Sequence, residues 1–574
     1  MEDNMRKMIL SAATFFLCAA LFSATAWATE DDTVRVGLYY NGSSSQGALI
    51  SANLENYQDT GSGYYFGYYN SNRDFVQLGT TSEKTISMSQ DINLVVNEDG
   101  SYSPGTAGGT AVIGCYHLQM DQSYGSYDQA AAAAAGLRGV YGVAFPAYDN
   151  GSFVVRAGSY TSQAEAERVL LDQRARASVT SGTAYTVTVT RTKTNEILFE
   201  YDDSGNTYLA VEPRPTGGKA QTWFKGYRYY GGFEYDRSSD LSGGKINVIN
   251  VVDLEDYIKS VITYEMSPSW PEEALKAQAV CARTYALRQT KHNSLGFDVC
   301  STTNCQVYRG AAAAKAASDA AVDATAGEVL YYGNTLIEGS YYSSNGGASE
   351  NSENVWSTAE PYLRGKKDPY ETTISIPNYR YEKTYTAAEL TSLLQKKGYA
   401  IGTVAAVQPV YTDLGNIYTI TFTDTAGKSV TVKKESCRLL FSAPSMRFTI
   451  TGGSSVPVVP PAEGSGGPFY INGKGSVLQG LKGLFTISGN GAVSQYNSEN
   501  AYVITSGGKA ALGGGDHSAA SVSSGAETYV IQGAGSGHNV GMSQYGANAM
   551  AKQGLTYEDI LHFYYTDVTI KSIQ

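Results

Sequence analysis

The stretch from Asp253 to Gly310 limits what this chain can be more than any other part of it. It opens with a short apolar run ending on a carboxylate, then a Pro-Ser-Trp-Pro break, then a segment built on alanine. Leu254, Ile258, Val261 and Ile262 fall at i, i+4, i+7 and i+8, which predicts an amphipathic helix with Asp253 as its N-cap. Glu265 lies 11 residues after Leu254. That is about three turns, so it shares the apolar face. A carboxylate there is partly desolvated, which raises its pKa. A carboxyl group kept protonated near neutral pH is what a general acid for glycosidic cleavage needs. The same residues also allow Pro268 to unwind the helix end and leave Glu265 in water. Ser269 to Glu272 has the Ser-x-x-Glu spacing of a capping box, with Pro271 expected in the first helical turn. Ala274, Ala277, Ala279, Ala282 and Ala286 then let the second helix pack closely against its neighbours.

With 574 residues the chain has room for about three domains. A formal charge of −12 argues against a nucleic-acid partner, which would need a basic surface. The 45 tyrosines suit sugar stacking and ordinary β-rich surfaces alike. Residues 1–28 read as a secretory signal, with Arg6 and Lys7 before an uncharged apolar core and Ala26-Trp27-Ala28 as the cleavage site. The expected location is outside the membrane, extracellular or wall-associated, or membrane-anchored if that segment is retained. Beyond Cys18 the cysteines are Cys115, Cys281, Cys300, Cys305 and Cys437, an odd number that does not suit a disulfide framework. At least one thiol should be free and buried.

The organisation expected is α+β and multidomain. A β-rich region (29–110) precedes a small α+β domain (111–180) and a β-rich catalytic domain with a few central helices (181–450). A Gly/Ser/Pro-rich linker (451–467) and an inserted β-rich segment (468–528) follow, before the catalytic domain resumes at 529–574. The small domain rests on an internal repeat. Gly125-Ser126-Tyr127-Asp128-Gln129-Ala130 returns 33 residues later as Gly158-Ser159-Tyr160-Thr161-Ser162-Gln163-Ala164, with one extra residue before the glutamine. Each copy follows an apolar strand and opens an Ala-rich helix, so the pair should share one sheet. Cys300 and Cys305, four residues between them, are candidate ligands for Zn²⁺, with His292 as a third. A complete site takes four. A local disulfide and two free thiols remain open.

Taken together, these residues resemble the SpoIID/LytB family, the sporulation protein D and amidase-enhancer group of bacterial cell-wall proteins. The likeness is carried by Tyr257, Val261, Glu265-Met266, Trp270-Pro271, Glu273 to Val280 and Ala282-Arg283-Thr284-Tyr285. It continues in Gln306-Val307-Tyr308, Ser343 to Gly347, Trp356, Pro361-Tyr362-Leu363, Arg438 and Pro444-Ser445, and again from Gly533 to Ala547. The resemblance implies that Glu265 is the acid/base of a peptidoglycan lytic transglycosylase. It makes Arg283, Gln306, Tyr308, Ser344, Asn345, Gly346, His538, Ser543 and Gln544 candidate glycan contacts. His538 reads equally well as a turn histidine capping backbone. Some relatives bind zinc at the cysteine pair with a histidine directly before the second cysteine. Here that residue is Asn304 and the spacing is one shorter. Asn539 stands where the family usually has Gly, and Asn also tolerates a left-handed backbone. The repeat at 112–175 resembles a SPOR domain, which implies binding of glycan strands. The implied partners are peptidoglycan glycan strands and a cell-wall amidase. The alternative to an enzyme is a non-catalytic amidase enhancer or a wall-binding protein.

Overall fold

Val34, Val36 and Leu38 point inward from the strand Thr33–Tyr39, and this alternation sets the pattern for the first half of the chain. The structure is a computed structural model. It describes residues 33–237, 244–313, 315–452 and 528–573, together with the backbone of short strand pairs between 469 and 524. The signal reading at 1–28, most of the linker and the side chains of the inserted segment lie outside the described residues. Helices and strands are mixed, as the α+β reading expects. Among the described residues no helix is long and apolar enough to cross a membrane.

Two compact units account for the chain. Among the described residues one comprises 33–261, 289–313 and 573, the other 262–288 and 315–572. The first is built on a seven-stranded and a ten-stranded sheet. Phe66 of the former stacks on Phe199 of the latter at 5.3 Å, with Tyr127 edge-on at 5.7 Å from Phe199.

The repeat forms one end of the ten-stranded sheet. Tyr116–Tyr124 leads into the helix Tyr127–Tyr141, and Ser152–Tyr160 leads into the helix Gln163–Gln173. The two strands pair antiparallel, so the copies share one sheet. The helix caps are Ser126, accepting from the N–H of Gln129, and Ser162, accepting from Glu165. The structural equivalent of Ser126 is thus Ser162, not Ser159, three residues further on than the letters align. The sheet does not stop at the boundary expected at 180. Ala144–Asp149 pairs in parallel with Ile197–Asp202, and the sheet continues through Val187–Arg191 to Thr85–Gln90. That pairing covers an edge that would otherwise expose its hydrogen-bonding groups.

The second unit is organised around the helix Glu272–Arg288, most of which is buried. It packs against the helices Ala316–Ala324, Gln544–Lys552 and Tyr557–Tyr564 and the strand Glu328–Tyr332. Its start differs from expectation. The carbonyl of Pro271 accepts the first intrahelical bond, from Leu275 at 3.3 Å, so Pro271 stands at the N-cap and opens the first turn. The Ser269 hydroxyl pairs with Ser267 at 2.9 Å. A turn closed by Trp270 N–H on the Ser267 carbonyl (3.0 Å) makes the break. A second core gathers the helix Ala387–Lys396, the strands Val404–Tyr411 and Ile417–Asp424, and the sheet Arg380–Thr386, Thr528–Ala534, Phe448–Gly452.

The first unit buries an ion network that no sequence pattern announced. The His117 ring is fully buried, with one nitrogen 2.7 Å from the Gly158 carbonyl and the other 3.1 Å from Glu200. Arg156 donates to the second Glu200 oxygen at 2.9 Å, and Asp91 closes the cluster 4.0 Å from His117. Burial alone would lower the His117 pKa, but the Glu200 and Asp91 carboxylates outweigh it and raise it to about 10. Burial likewise pushes Glu200 up, but the His117 and Arg156 cations outweigh that and hold it at about 2. The raised histidine contributes stability that is complete below its ordinary pKa of 6.5 and is lost as pH rises through about 10. The depressed carboxylate contributes stability that is complete above 4.5 and is lost as pH falls toward about 2. Denaturant unfolding followed by circular dichroism should therefore find this contribution greatest near pH 5.5 and declining on both sides, at about pH 9 and about pH 3. His117→Gln should remove the alkaline decline. An alkaline limb unchanged in that variant would contradict the assignment.

Candidate active site

Glu265 closes the helix Leu254–Glu265, which keeps its geometry up to that residue. The side chain is half-buried, and Met266 behind it is in the core around Glu272–Arg288. The Gln544 amide donates to Glu265 Oε2 at 3.0 Å. The same amide lies 3.5 Å from Oε1 of Gln278, which is fully buried on the helix Glu272–Arg288. The carboxylate is thereby fixed from the start of another helix while part of its surface stays open. Trp270 and Tyr545, both half-buried, meet at a tilt of 59° with ring centroids 4.9 Å apart, and Tyr545 follows Gln544 directly. A partly exposed aromatic pair of this kind suits a sugar ring.

Ser543 positions Gln544. Its hydroxyl accepts from the N–H of Gly546 at 3.1 Å, capping the helix Gln544–Lys552, and donates to Glu371 Oε2 at 2.6 Å. Glu371 is completely buried and receives three more bonds: from Ser344 Oγ at 2.7 Å, the Asn345 N–H at 2.8 Å and the Gly346 N–H at 2.9 Å. Burial pushes its pKa up against these donors. Asn345 also donates to Asp368 at 2.6 Å, and Tyr564 donates to the same oxygen at 2.6 Å. Gly346 and Gly347 adopt φ of 70° and 118°; the successive N–H groups of Asn345 and Gly346 meet the one anion, and that of Gly347 donates to Asn345 Oδ1 at 2.6 Å. The Ser344-Asn345-Gly346 loop, expected to touch glycan, is thus engaged by an internal carboxylate.

Other candidates are also internal. Arg283 is fully buried, and its guanidinium donates to the Glu328 carbonyl at 2.9 Å. Gln306 and Tyr308 belong to the first unit and are buried there. Gln306 accepts from Tyr257 at 2.8 Å, and Tyr308 donates to Asn250 at 2.7 Å. His538 sits between the rings of Tyr342 (5.3 Å) and Trp356 (5.1 Å), with Nδ1 accepting from the Val540 N–H at 3.2 Å. Burial and the neighbouring Arg438 push its pKa down to about 4. This is the backbone-capping histidine of the two sequence readings. Asn539 does take a left-handed φ of 67°, and its amide donates to the Asn345 carbonyl at 3.1 Å and to Asn416 at 3.0 Å.

The three candidate metal ligands come together in the first unit. One donor atom each of His292, Cys300 and Cys305 lies within 4.8 Å of the others, and His292 Nε2 is 3.3 Å from Cys305 Sγ. Neither cysteine is in a disulfide. The hydrogen bond from Cys305 holds Cys300 down at about 4 and raises Cys305 in turn. Two sulfurs and one imidazole are donors that Zn²⁺ takes, and they supply three of the four ligands of a tetrahedral site. The fourth corner would fall to water. Sequence reasoning missed Glu371 and Asp368, and passed over Gln278 although it lies in the matched run Glu273 to Val280. Trp270 and Tyr545 lay inside matched motifs but were not singled out.

The SpoIID family (Stage II sporulation protein) matches residues 242–332, which include Glu265 and the cysteine pair. Against Stage II sporulation protein D of Bacillus subtilis (strain 168) the chain is 30% identical over 335 residues, 56% of this chain and 74% of that protein. The chain belongs to the SpoIID family. It is also 31% identical over 316 residues to the amidase enhancer of Bacillus subtilis (strain 168), 55% of this chain and 40% of that protein. An uncharacterized protein of Brachyspira hyodysenteriae is 42% identical over 142 residues, 24% of this chain and 38% of that protein. The chain thus spans well under half the length of these last two relatives.

Glu371→Ala should cost about 3 kcal/mol or more, because it orphans two backbone N–H groups and two hydroxyls at once. Urea unfolding would measure it. A loss under about 1 kcal/mol would mean that the four bonds do not anchor the loop.

Proposed function

We propose that this SpoIID-family protein acts on the bacterial cell wall as a peptidoglycan lytic transglycosylase, with Glu265 as its acid and base. One observation carries the reading: Glu265 is half-buried at the end of its helix and held by Gln544, whose chain neighbour Tyr545 packs on Trp270. In the protonated form Glu265 gives its proton to the oxygen joining N-acetylmuramic acid to N-acetylglucosamine. That bond breaks, and the leaving sugar takes the proton. The carboxylate then accepts the proton of the muramic acid 6-hydroxyl, whose oxygen attacks its own anomeric carbon. The product ends in a 1,6-anhydro ring, and no water is consumed. One carboxyl serves both steps because the nucleophile belongs to the substrate. A partner carboxylate at the usual separation of about 5 Å or more is not required. Glu371 is not available for that role, since four donors engage it.

In this reading the protein is exported and works at the wall, and the repeat at 112–175 helps to hold glycan strands. A Zn²⁺ at His292, Cys300 and Cys305 would brace the segment between the two cysteines. The amidase enhancer among the relatives supports a second reading, a wall-bound protein that stimulates an amidase without cutting glycan itself.

The two readings diverge in Glu265→Gln. Incubation of peptide-free glycan strands with the parent protein should yield anhydro-ended fragments by mass spectrometry. The variant should be slower by about 10²–10⁴-fold, the usual worth of a positioned acid/base. Intact strands with the parent protein, alongside amidase stimulation that survives the substitution, would replace the enzyme with the enhancer.

A further inference from the structure

The second unit carries a groove of about 760 Å³ that the reaction as described does not use. Its floor is the outer face of the sheet Arg380–Thr386, Thr528–Ala534, Phe448–Gly452, where Glu382, Gln532 and Thr449 stand in register. Gly346 and Gly415 border it, and Tyr379, Arg380 and Arg447 project along it. A second hollow of about 490 Å³ shares Thr372, Tyr379 and Arg380 with the first, so the two run on as one trough.

Arg447 is the unusual group here. It is half-buried, and one of its N–H groups donates to the Leu414 carbonyl. No carboxylate among the described residues pairs with it. The buried acids whose charge it feels, Glu350 and Glu371, are engaged elsewhere. Glu350 binds Thr412, Asn416, Asn354 and the Asn351 N–H, and Glu371 its four donors. Glu382, the acid of the groove itself, accepts from Gln532 at 2.9 Å. The side chain is held in place all the same. A Cβ at Gly346 would meet Arg447 Cδ at 2.9 Å, and one at Gly415 would meet its Nη2 at 3.3 Å. Burial lowers the Arg447 pKa by more than the charges around it raise it. Arg380, exposed at the rim, likewise has no acid partner among the described residues. An oriented guanidinium with unspent donors recognises a carboxylate, and a tyrosine beside it suits a sugar face.

We propose that Arg447, with Arg380 at the rim, forms a carboxylate-binding subsite for an acidic glycan. This deepens the transglycosylase reading and rests on it. Two sources of the carboxylate share this chemistry: the lactyl ether of muramic acid, and the amino-acid carboxylates of a peptide attached to it. The groove and the acid/base are joined through protein. Gly346 borders the groove and binds Glu371, Glu371 binds Ser543, and the next residue, Gln544, holds Glu265.

The test uses the full chain carrying Glu265→Gln, so that nothing is cut during binding. Three soluble ligands of equal length are titrated: peptide-free glycan, glycan with its peptides attached, and a chito-oligosaccharide, which has no carboxylate. The proposal expects the acidic ligands to bind about tenfold or more tightly than the chito-oligosaccharide. Arg447→Met should erase that preference while leaving chito-oligosaccharide binding unchanged. Arg447→Lys should keep part of it, and the exposed Arg380→Met should reduce it without affecting folding. A stronger preference for peptide-free glycan assigns the lactyl group, and the reverse assigns the peptide. Equal preference with and without Arg447, or none at all, overturns the subsite. If the unsubstituted protein still releases anhydro ends in that case, the subsite alone has failed. If that protein neither cuts nor binds any of the three, the transglycosylase reading falls and the subsite with it.

Discussion

The carboxylate of Glu371 is where distant parts of the second unit are tied together. It takes hydrogen bonds from Ser344, Asn345, Gly346 and Ser543, residues nearly two hundred positions apart along the chain. A buried charge is costly to hold unless its lone pairs are filled, and here four donors fill them. The consequence reaches the candidate active site. Ser543 caps the helix Gln544–Lys552 with the hydroxyl that also serves Glu371. That fixes where Gln544 begins and hence where its amide meets Glu265. Asp368 repeats the device one turn away by taking Asn345 and Tyr564 on one oxygen. Loosening this knot would move the groups that hold the acid without touching the acid itself.

The same logic explains how a long segment can interrupt the family pattern. The strand Phe448–Gly452 leads out of the described core, and Thr528–Ala534 leads back into it. The two are hydrogen-bonded neighbours, with Gly452 opposite Tyr529. The ends of the intervening segment therefore meet across one strand pair. Closing a longer loop there costs only slightly more chain entropy, because the cost grows with the logarithm of length. The sheet that receives both ends also floors the arginine groove. Fold continuity and a candidate binding face thus share the same three strands.

Local features were readable wherever one side chain's period or cap decides the outcome. The apolar spacing of Leu254, Ile258, Val261 and Ile262 gave a helix that holds through Glu265. Of the repeat, the shared sheet was readable and the cap register was not. Aligning Gly-Ser-Tyr with Gly-Ser-Tyr matched Ser126 to Ser159, whereas helix geometry matches it to Ser162. A cap is defined by which hydroxyl reaches the third residue on, and similarity of letters does not carry that. Likewise His292 could be named as a third donor beside Cys300 and Cys305, but only the fold brings all three within one coordination distance.

What sequence alone determined is the family pattern, the position of Glu265 on the apolar face of a helix, and the mixed α+β build. These follow from short-range periodicity and contiguous motifs. What only the tertiary structure decided is which matched residues face inward. Arg283, Ser344, Asn345 and His538 sit in motifs that look like substrate contacts, yet each is engaged by a backbone group, a buried acid or packed rings. Their partners Glu328, Glu371 and Tyr342 lie far away in the chain, and nothing in the local pattern points to them. Burial and hydrogen-bond partnership depend on long-range packing, so a motif can mark a place in the fold without saying whether its side chains meet ligand or protein.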